Sequence, residues 1–196
     1  VSADVQAYGG DAGGGNGSGA DGNGGHGLVL FSSSGSTTVG GVINVAGGST
    51  GDGTGGAAGL TMLAGGDIQF QNAEGTVFGG SSNATGGDAG ILLVAGGNIV
   101  LDSKYSSNAD TLNAIGGGNT PGMKSVVVAA AGNVSLINGA SVYSSGTANL
   151  SSGANVSLDG SSYIYAGSSA SVGAIGSLTL TNNSSITGDN NTFITT

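Results

Sequence analysis

The sequence predicts an all-β chain wound as a right-handed parallel β-helix of about seven rungs, and three observations carry that prediction. Short phrases recur: Gly132-Asn133-Val134-Ser135-Leu136, Ala154-Asn155-Val156-Ser157-Leu158 and Gly176-Ser177-Leu178-Thr179-Leu180. Their Asn or Ser leads fall at 133, 155 and 177, an even period of 22. Within each phrase apolar residues alternate with small polar ones, the pattern of a half-buried strand. No 3.6-residue periodicity is present, and Gly and β-branched residues disfavour helix throughout. A fixed repeat of about 20–30 residues, made of strands and turns, is the mark of a solenoid. Parallel crossovers are almost always right-handed, which sets the expected hand.

A second phrase in each repeat serves as a ruler along the chain. Its centres fall at 7, 45, 77, 114, 142, 164 and 186, giving successive spacings of 38, 32, 37, 28, 22 and 22. In the first four rungs a glycine pair follows it: Gly9-Gly10, Gly47-Gly48, Gly79-Gly80 and Gly116-Gly117. A third phrase comes next, at 28–31, 60–63, 91–94 and 125–128. Between pair and third phrase lie Gly-rich inserts at 11–27, 49–59, 81–90 and 119–124, each shorter than the last. Inserts at one point of a repeat map to one side of a solenoid, so a tapering column of loops is expected. A further insert, 102–110, carries Lys104 and Tyr105. The chain thus reads as a single β-helix segment over 1–196, with long inserts over 1–128 and compact rungs at the period of 22 over 129–196. Seven rungs about 4.8 Å apart make a rod roughly 30 Å long.

Composition narrows the function. Forty-four Gly with no triplet period exclude collagen, and 7% charged residues with apolar residues in register argue against disorder. A net charge of −9 with only Lys104 and Lys124 as cations leaves no basic patch, so nucleic acid and anionic membrane surfaces are not expected partners. No apolar run is long enough to span a bilayer as a helix, and the absence of Cys excludes a disulfide framework. The chain opens on Val1 with no leader, as a mature segment or an excised piece does. Neither end reads as a polar cap, from which we expect rungs to continue, or copies to join end to end.

The best-defined residue set is a corner column: Asp67, Asn98, Asn133, Asn155 and Ser177 occupy the same slot in successive rungs. Stacked Asn amides satisfy one another's polar groups from rung to rung, a structural role. Asp11, Asp21, Asp52 and Asp88 lie in the Gly-rich inserts and are the candidates for Ca²⁺, since loop carboxylates and carbonyls suit that ion. The stretch 17–21 lacks the tandem copies and the apolar residue of a Ca²⁺-binding nonapeptide repeat, so solvated loop carboxylates are expected and no cofactor is required. His26, flanked by Gly25 and Gly27, is expected to be an exposed loop residue, because one His with no Cys builds neither a zinc site nor a triad. Tyr143, Tyr163 and Tyr165 fall on adjacent rungs, where rings stack or meet sugar faces.

The phrases AGGNIVLD, AAGNVSLINGASV and SGANVSLDGSSYI resemble the degenerate repeats of filamentous haemagglutinin-type exoproteins of bacterial two-partner secretion, and of autotransporter passengers, over roughly 64–187. The resemblance implies a secreted, β-helical adhesin or fibre at the bacterial cell surface. A host or matrix glycan or receptor is then an implied partner, met through the Gly-rich loop column or the Tyr face. Polysaccharide lyases share the architecture, but they need an Arg or Lys base and an acidic Ca²⁺ cluster; with no Arg present, no enzyme is expected.

Overall fold

The computed structural model describes residues 4–12, 22–103, 111–118 and 122–196. Among these every regular element is a strand. The first turn comprises β1 (Val5–Tyr8), β2 (Gly27–Ser33) and β3 (Thr37–Val39), and the second β4 (Val42–Ala46), β5 (Ala58–Ala64) and β6 (Ile68–Gln71). Next come β7 (Glu74–Phe78), β8 (Ala89–Ala95) and β9 (Ile99–Asp102), then β10 (Leu112–Ile115), β11 (Lys124–Ala130) and β12 (Val134–Ile137). The compact turns are β13 (Ser141–Ser144), β14 (Thr147–Ser152) and β15 (Val156–Leu158), then β16 (Tyr163–Ala166), β17 (Ser169–Ala174) and β18 (Leu178–Leu180). β19 (Ser185–Gly188) and β20 (Asn191–Thr195) complete the described chain. Each strand pairs in parallel with the strand three places on, giving a first sheet β1-β4-β7-β10-β13-β16-β19, a second β2-β5-β8-β11-β14-β17-β20 and a third running β3 to β18. The molecule is a parallel β-helix.

Alternation sends every second side chain inward, and stacking lays like upon like. Ile68, Ile99, Val134 and Val156 share one column of the third sheet, and Phe70, Leu101, Leu136 and Leu158 the next. All eight are buried. In the second sheet an inward column shrinks along the rod, from Leu60 and Ile91 through Val126 to Ala148 and Ala170. That taper accompanies the shortening of the turns toward the compact end. Volume is also balanced within a turn: a Cβ on Gly75 would lie 3.4 Å from the Phe70 ring and 3.2 Å from Leu112, so glycine there makes room for the largest core side chain. A buried hydroxyl beside the third sheet is satisfied locally. Ser152 Oγ donates toward the carbonyls of Gly132 (2.7 Å) and Asn155 (3.0 Å).

Three registers differ from those the spacing predicts. Leu112, not Ala114, pairs with Val142, so the fourth spacing is 30 rather than 28. A two-residue shift leaves the same side chains inward, which is why alternation alone does not reveal it. In the second sheet Val29 pairs with Leu60, and Val126 with Ile91, a one-residue offset from the aligned phrases. An odd slip exchanges faces: Leu28 and Leu30 stand on the outer surface, while Val29 and Phe31 pack against the core. The second-sheet strands also start earlier than expected, so Lys124, read as the end of an insert, opens β11.

The described residues of the inserts lie between first and second sheets, on one side of the rod as expected, but their glycines are not free loop. A chain of backbone hydrogen bonds runs Gly25 to Gly10, Gly48 to Gly25, Gly56 to Gly48, Gly80 to Gly56 and Gly87 to Gly80, all at 2.8–2.9 Å between amide nitrogen and carbonyl oxygen. Outgoing and returning arms of successive inserts thus interleave into a backbone wall beside the sheets. Glycine is needed there for closeness, not for a left-handed dihedral. A methyl group on Gly80 would sit 2.0 Å from the Gly48 carbonyl oxygen, and one on Gly56 1.9 Å from that of Gly25. Gly80→Ala should therefore lower stability by about 2–3 kcal/mol or more in urea unfolding, as overpacking does. Gly35→Ala, where an added Cβ meets nothing within 4 Å, should change it by less than about 1 kcal/mol. Equal effects at the two positions would contradict the interleaved wall.

Candidate functional site

The corner column forms as the spacing predicts. Asn98 Oδ1 accepts both the backbone N–H of Asn133 (2.8 Å) and its Nδ2 (3.1 Å). Asn133 Oδ1 does the same for Asn155, at 3.1 Å each. Ser177 closes the series on Asn155 Oδ1 with its amide and its hydroxyl, both at 2.9 Å. At the other end Asp67 Oδ1 accepts from Asn98 N (2.6 Å) and Nδ2 (3.2 Å). Ser36 extends the column one rung further, its Oγ accepting from Asp67 N at 3.0 Å. Ser36 is not among the expected column residues; its position 31 residues before Asp67, the same step as from Asp67 to Asn98, and the alternation of Thr37–Val39 just after it are the available signs. Asn fits the slot because one side chain both accepts from the next turn and donates to the previous one.

Beside this column the outer face of the third sheet forms a shallow groove of about 390 Å³. Asp67, Asn98, Asn133 and Asn155 make one wall, with Gln69, Val100, Ser135 and Ser157 along its floor. Ser157 donates to Ser135 at 3.1 Å, so the floor is itself laddered. The lining offers amides and hydroxyls with a single carboxylate, suited to hydrogen bonding with a neutral polar partner.

Two of the carboxylates proposed for Ca²⁺ tie one turn to the next. Asp11 Oδ1 accepts from Ser49 N and Asp88 Oδ1 from Met123 N, both at 2.6 Å, the first on an outgoing arm and the second on a returning arm. Asp52 lies in the insert between them, and Asp21, like Lys104 and Tyr105, falls outside the described residues. Among the described residues no three of His, Cys, Asp and Glu gather where they could hold a metal ion. His26 is exposed, as expected, yet it too is a strut: its Nδ1 accepts from Ala57 N at 2.9 Å.

Tyr143 and Tyr165 stack on the outer face of the first sheet with ring centroids 5.2 Å apart and planes 14° from parallel. Tyr163 stands two residues away, in register with Ser141 and Ser185, outside that stack. Tyr165 donates to Asp189 Oδ2 at 2.8 Å, and this bond raises the phenol above its ordinary pKa, with desolvation and the nearby negative charge adding to it. A second laddered corner, between third and first sheets, is not anticipated by the sequence reading. Asn72, Asn138, Ser161, Asn182 and Asn183 have positive φ there, with Gly139 and Gly160. The Asn138-Gly139 and Asp159-Gly160 pairs are its sequence signal, since Asn and Gly tolerate this conformation best. Asp159 Oδ1 accepts from Thr181 Oγ1 (2.7 Å), Asn182 Nδ2 (2.6 Å) and Gly160 N (2.8 Å), and these bonds hold its carboxyl below the usual range.

Comparisons with family models, with curated proteins and with solved structures find no match to this chain.

Two outcomes follow for the corners. Asn133→Ala should destabilise by about 0.5–1.5 kcal/mol in urea unfolding, because it removes the donor to Asn98 and the acceptor for Asn155 at an exposed corner. Asn133→Asp, which keeps the acceptor, should lose less; an unchanged midpoint in Asn133→Ala would deny the column any energetic role. Since the folded Asp159 carboxyl titrates below its unfolded value of about 3.9, its stabilisation is present above that pH and is lost as pH falls below it. Asp159→Asn should accordingly flatten the acid limb of the stability profile, and an identical limb would contradict the assignment.

Proposed function

We propose that this chain is a structural and adhesive module of a secreted bacterial cell-surface protein, a stiff β-solenoid rod that holds surfaces away from the cell. One observation supports this most: a single three-strand turn repeats along the described chain with every sheet in parallel register, and the turns are tied at corners, inserts and core alike. Most of the polar side chains that stand out in the sequence serve those ties. Stiffness and reach are what such a molecule supplies. The resemblance to filamentous haemagglutinin-type repeats points the same way, as does a surface rich in Asn, Ser, Thr and Gly and poor in cations. End-to-end joining with further turns belongs to this reading.

A second reading, a carbohydrate- or receptor-binding passenger, draws support from the groove of amides and hydroxyls along the third sheet. It draws less from the inserts, whose glycines are already bonded to one another.

Antibodies raised against the folded chain should label intact cells of the organism that makes it, and brief external protease should abolish the labelling. Label found only after lysis would overturn the surface assignment. On a glycan array the rod reading expects no retained ligand, whereas binding removed by Asn98→Ala with Ser135→Ala would favour the passenger.

A further inference from the structure

The outer face of the second sheet has no role in the rod. Its outward positions, from Leu28 on β2 to Thr195 on β20, include no ionisable residue, in a chain of net charge −9. Large apolar side chains stand on it: Leu28 is 72% exposed, Leu30 68%, and Leu63 and Val94 39% and 38%. Contiguous apolar surface of this kind marks a binding face.

The register gives the face a shape. Leu28, Gly59 and Gly90 lie in one outer column, and Ser32, Leu63 and Val94 in the column on the other side of the Leu30 column. In each of these three rungs one flank is large and the other small, and the order reverses between the first rung and the next two. We infer that a second copy of this chain covers the face, related by a two-fold axis parallel to the rod. Such an axis sets each rung against the same rung of the other copy and exchanges the flanking columns, so large meets small every time. Val94 of the second copy drops into the hollow at Gly90, where a Cβ would touch nothing within 4 Å. Leu63 of the second copy lands beside Gly59, on a ledge made by Leu28, whose Cδ2 reaches 3.0 Å from where a Gly59 Cβ would be. Leu30 meets Leu30.

Charge and area favour a second copy over other occupants. Two molecules of like net charge approach at least repulsion through the face that carries none. A charged partner finds nothing there to steer it. With both rods aligned, the whole sheet takes part. At about 4.8 Å per rung and about 3.3 Å per residue it presents on the order of 600 Å² of flat area, before side-chain relief is counted. Stable interfaces bury about 800 Å² per partner. Rods paired this way point in the same direction, as two rods rising from one surface do. The inference stands on the fold and the face alone, and survives if the surface role fails.

Sedimentation velocity on the full 196-residue chain should show a concentration-dependent dimer that strengthens as salt screens the net charge. Leu30→Asp places two carboxylates against each other and should weaken the dimer about 100-fold or more while leaving the monomer's unfolding midpoint unchanged. Thr61→Lys, in the same central column, provides an independent variant should Leu30→Asp fold poorly. Because the chain has no Cys, spin labels on single cysteines, Thr61→Cys and Ser171→Cys, test the axis. The central column faces itself along the whole rod, so both labels should report the same short intermolecular distance. A monomer at every concentration, a dimer indifferent to both charged variants, or two unequal distances would each overturn the proposal.

Discussion

Everything in this molecule depends on one turn of chain lying directly on the next, so that each residue's nearest neighbours are its own equivalents. A parallel coil has no other way to pair its backbone, and the pairing stacks each inward side chain on its equivalent in the next turn, in many columns one of similar size. The buried columns through Ile68 and Phe70 are the result. They also explain why volume changes must be gradual or compensated: the Leu60-to-Ala170 taper is gradual, and glycine at 75 compensates for Phe70. Each fully buried Leu, Ile or Val contributes about 1.5–3 kcal/mol, and here the contribution is shared between adjacent turns.

The same constraint governs the polar groups. Corners and inserts turn the chain away from the sheets, and their amides need partners that no strand supplies. Three devices meet that need at three places around the rod. Asn side chains bond rung to rung at one corner, αL residues with Asp159 do so at another, and bare glycine backbone does so in the inserts. The inserts are the instructive case. Their composition reads as flexible linker, yet with no side chains two arms approach closely enough to bond directly, and the low complexity is what makes order possible.

How much of this is legible in the sequence follows from which interactions leave a period-2 or fixed-period trace. The sheets and the column from Asp67 to Ser177 do, because apolar alternation and the recurring Asn sit at constant offsets. The 112–142 register does not, since a two-residue slip preserves alternation and the insert at 102–110 hides the spacing. The outward placement of Leu28 and Leu30 does not either; four apolar residues in a row fit both faces, and only pairing with Gly59 and Leu60 decides between them. The glycine wall is invisible because its specificity is an absence of side chains, which disordered segments share. Asp11, Asp88 and His26 draw attention as ligands because their chemistry is versatile, while the backbone amides that engage them come from the following turn, thirty or more positions on.

The most direct test of the stacked coil is a set of nuclear Overhauser contacts in solution between backbone protons of residues 22 positions apart. The account requires contacts joining Val142 to Ile164 and Ile164 to Ile186, repeated at Val134 to Val156 in the third sheet. Close Hα–Hα contacts between neighbouring strands of antiparallel hairpins, with no series at a separation of 22, would contradict it.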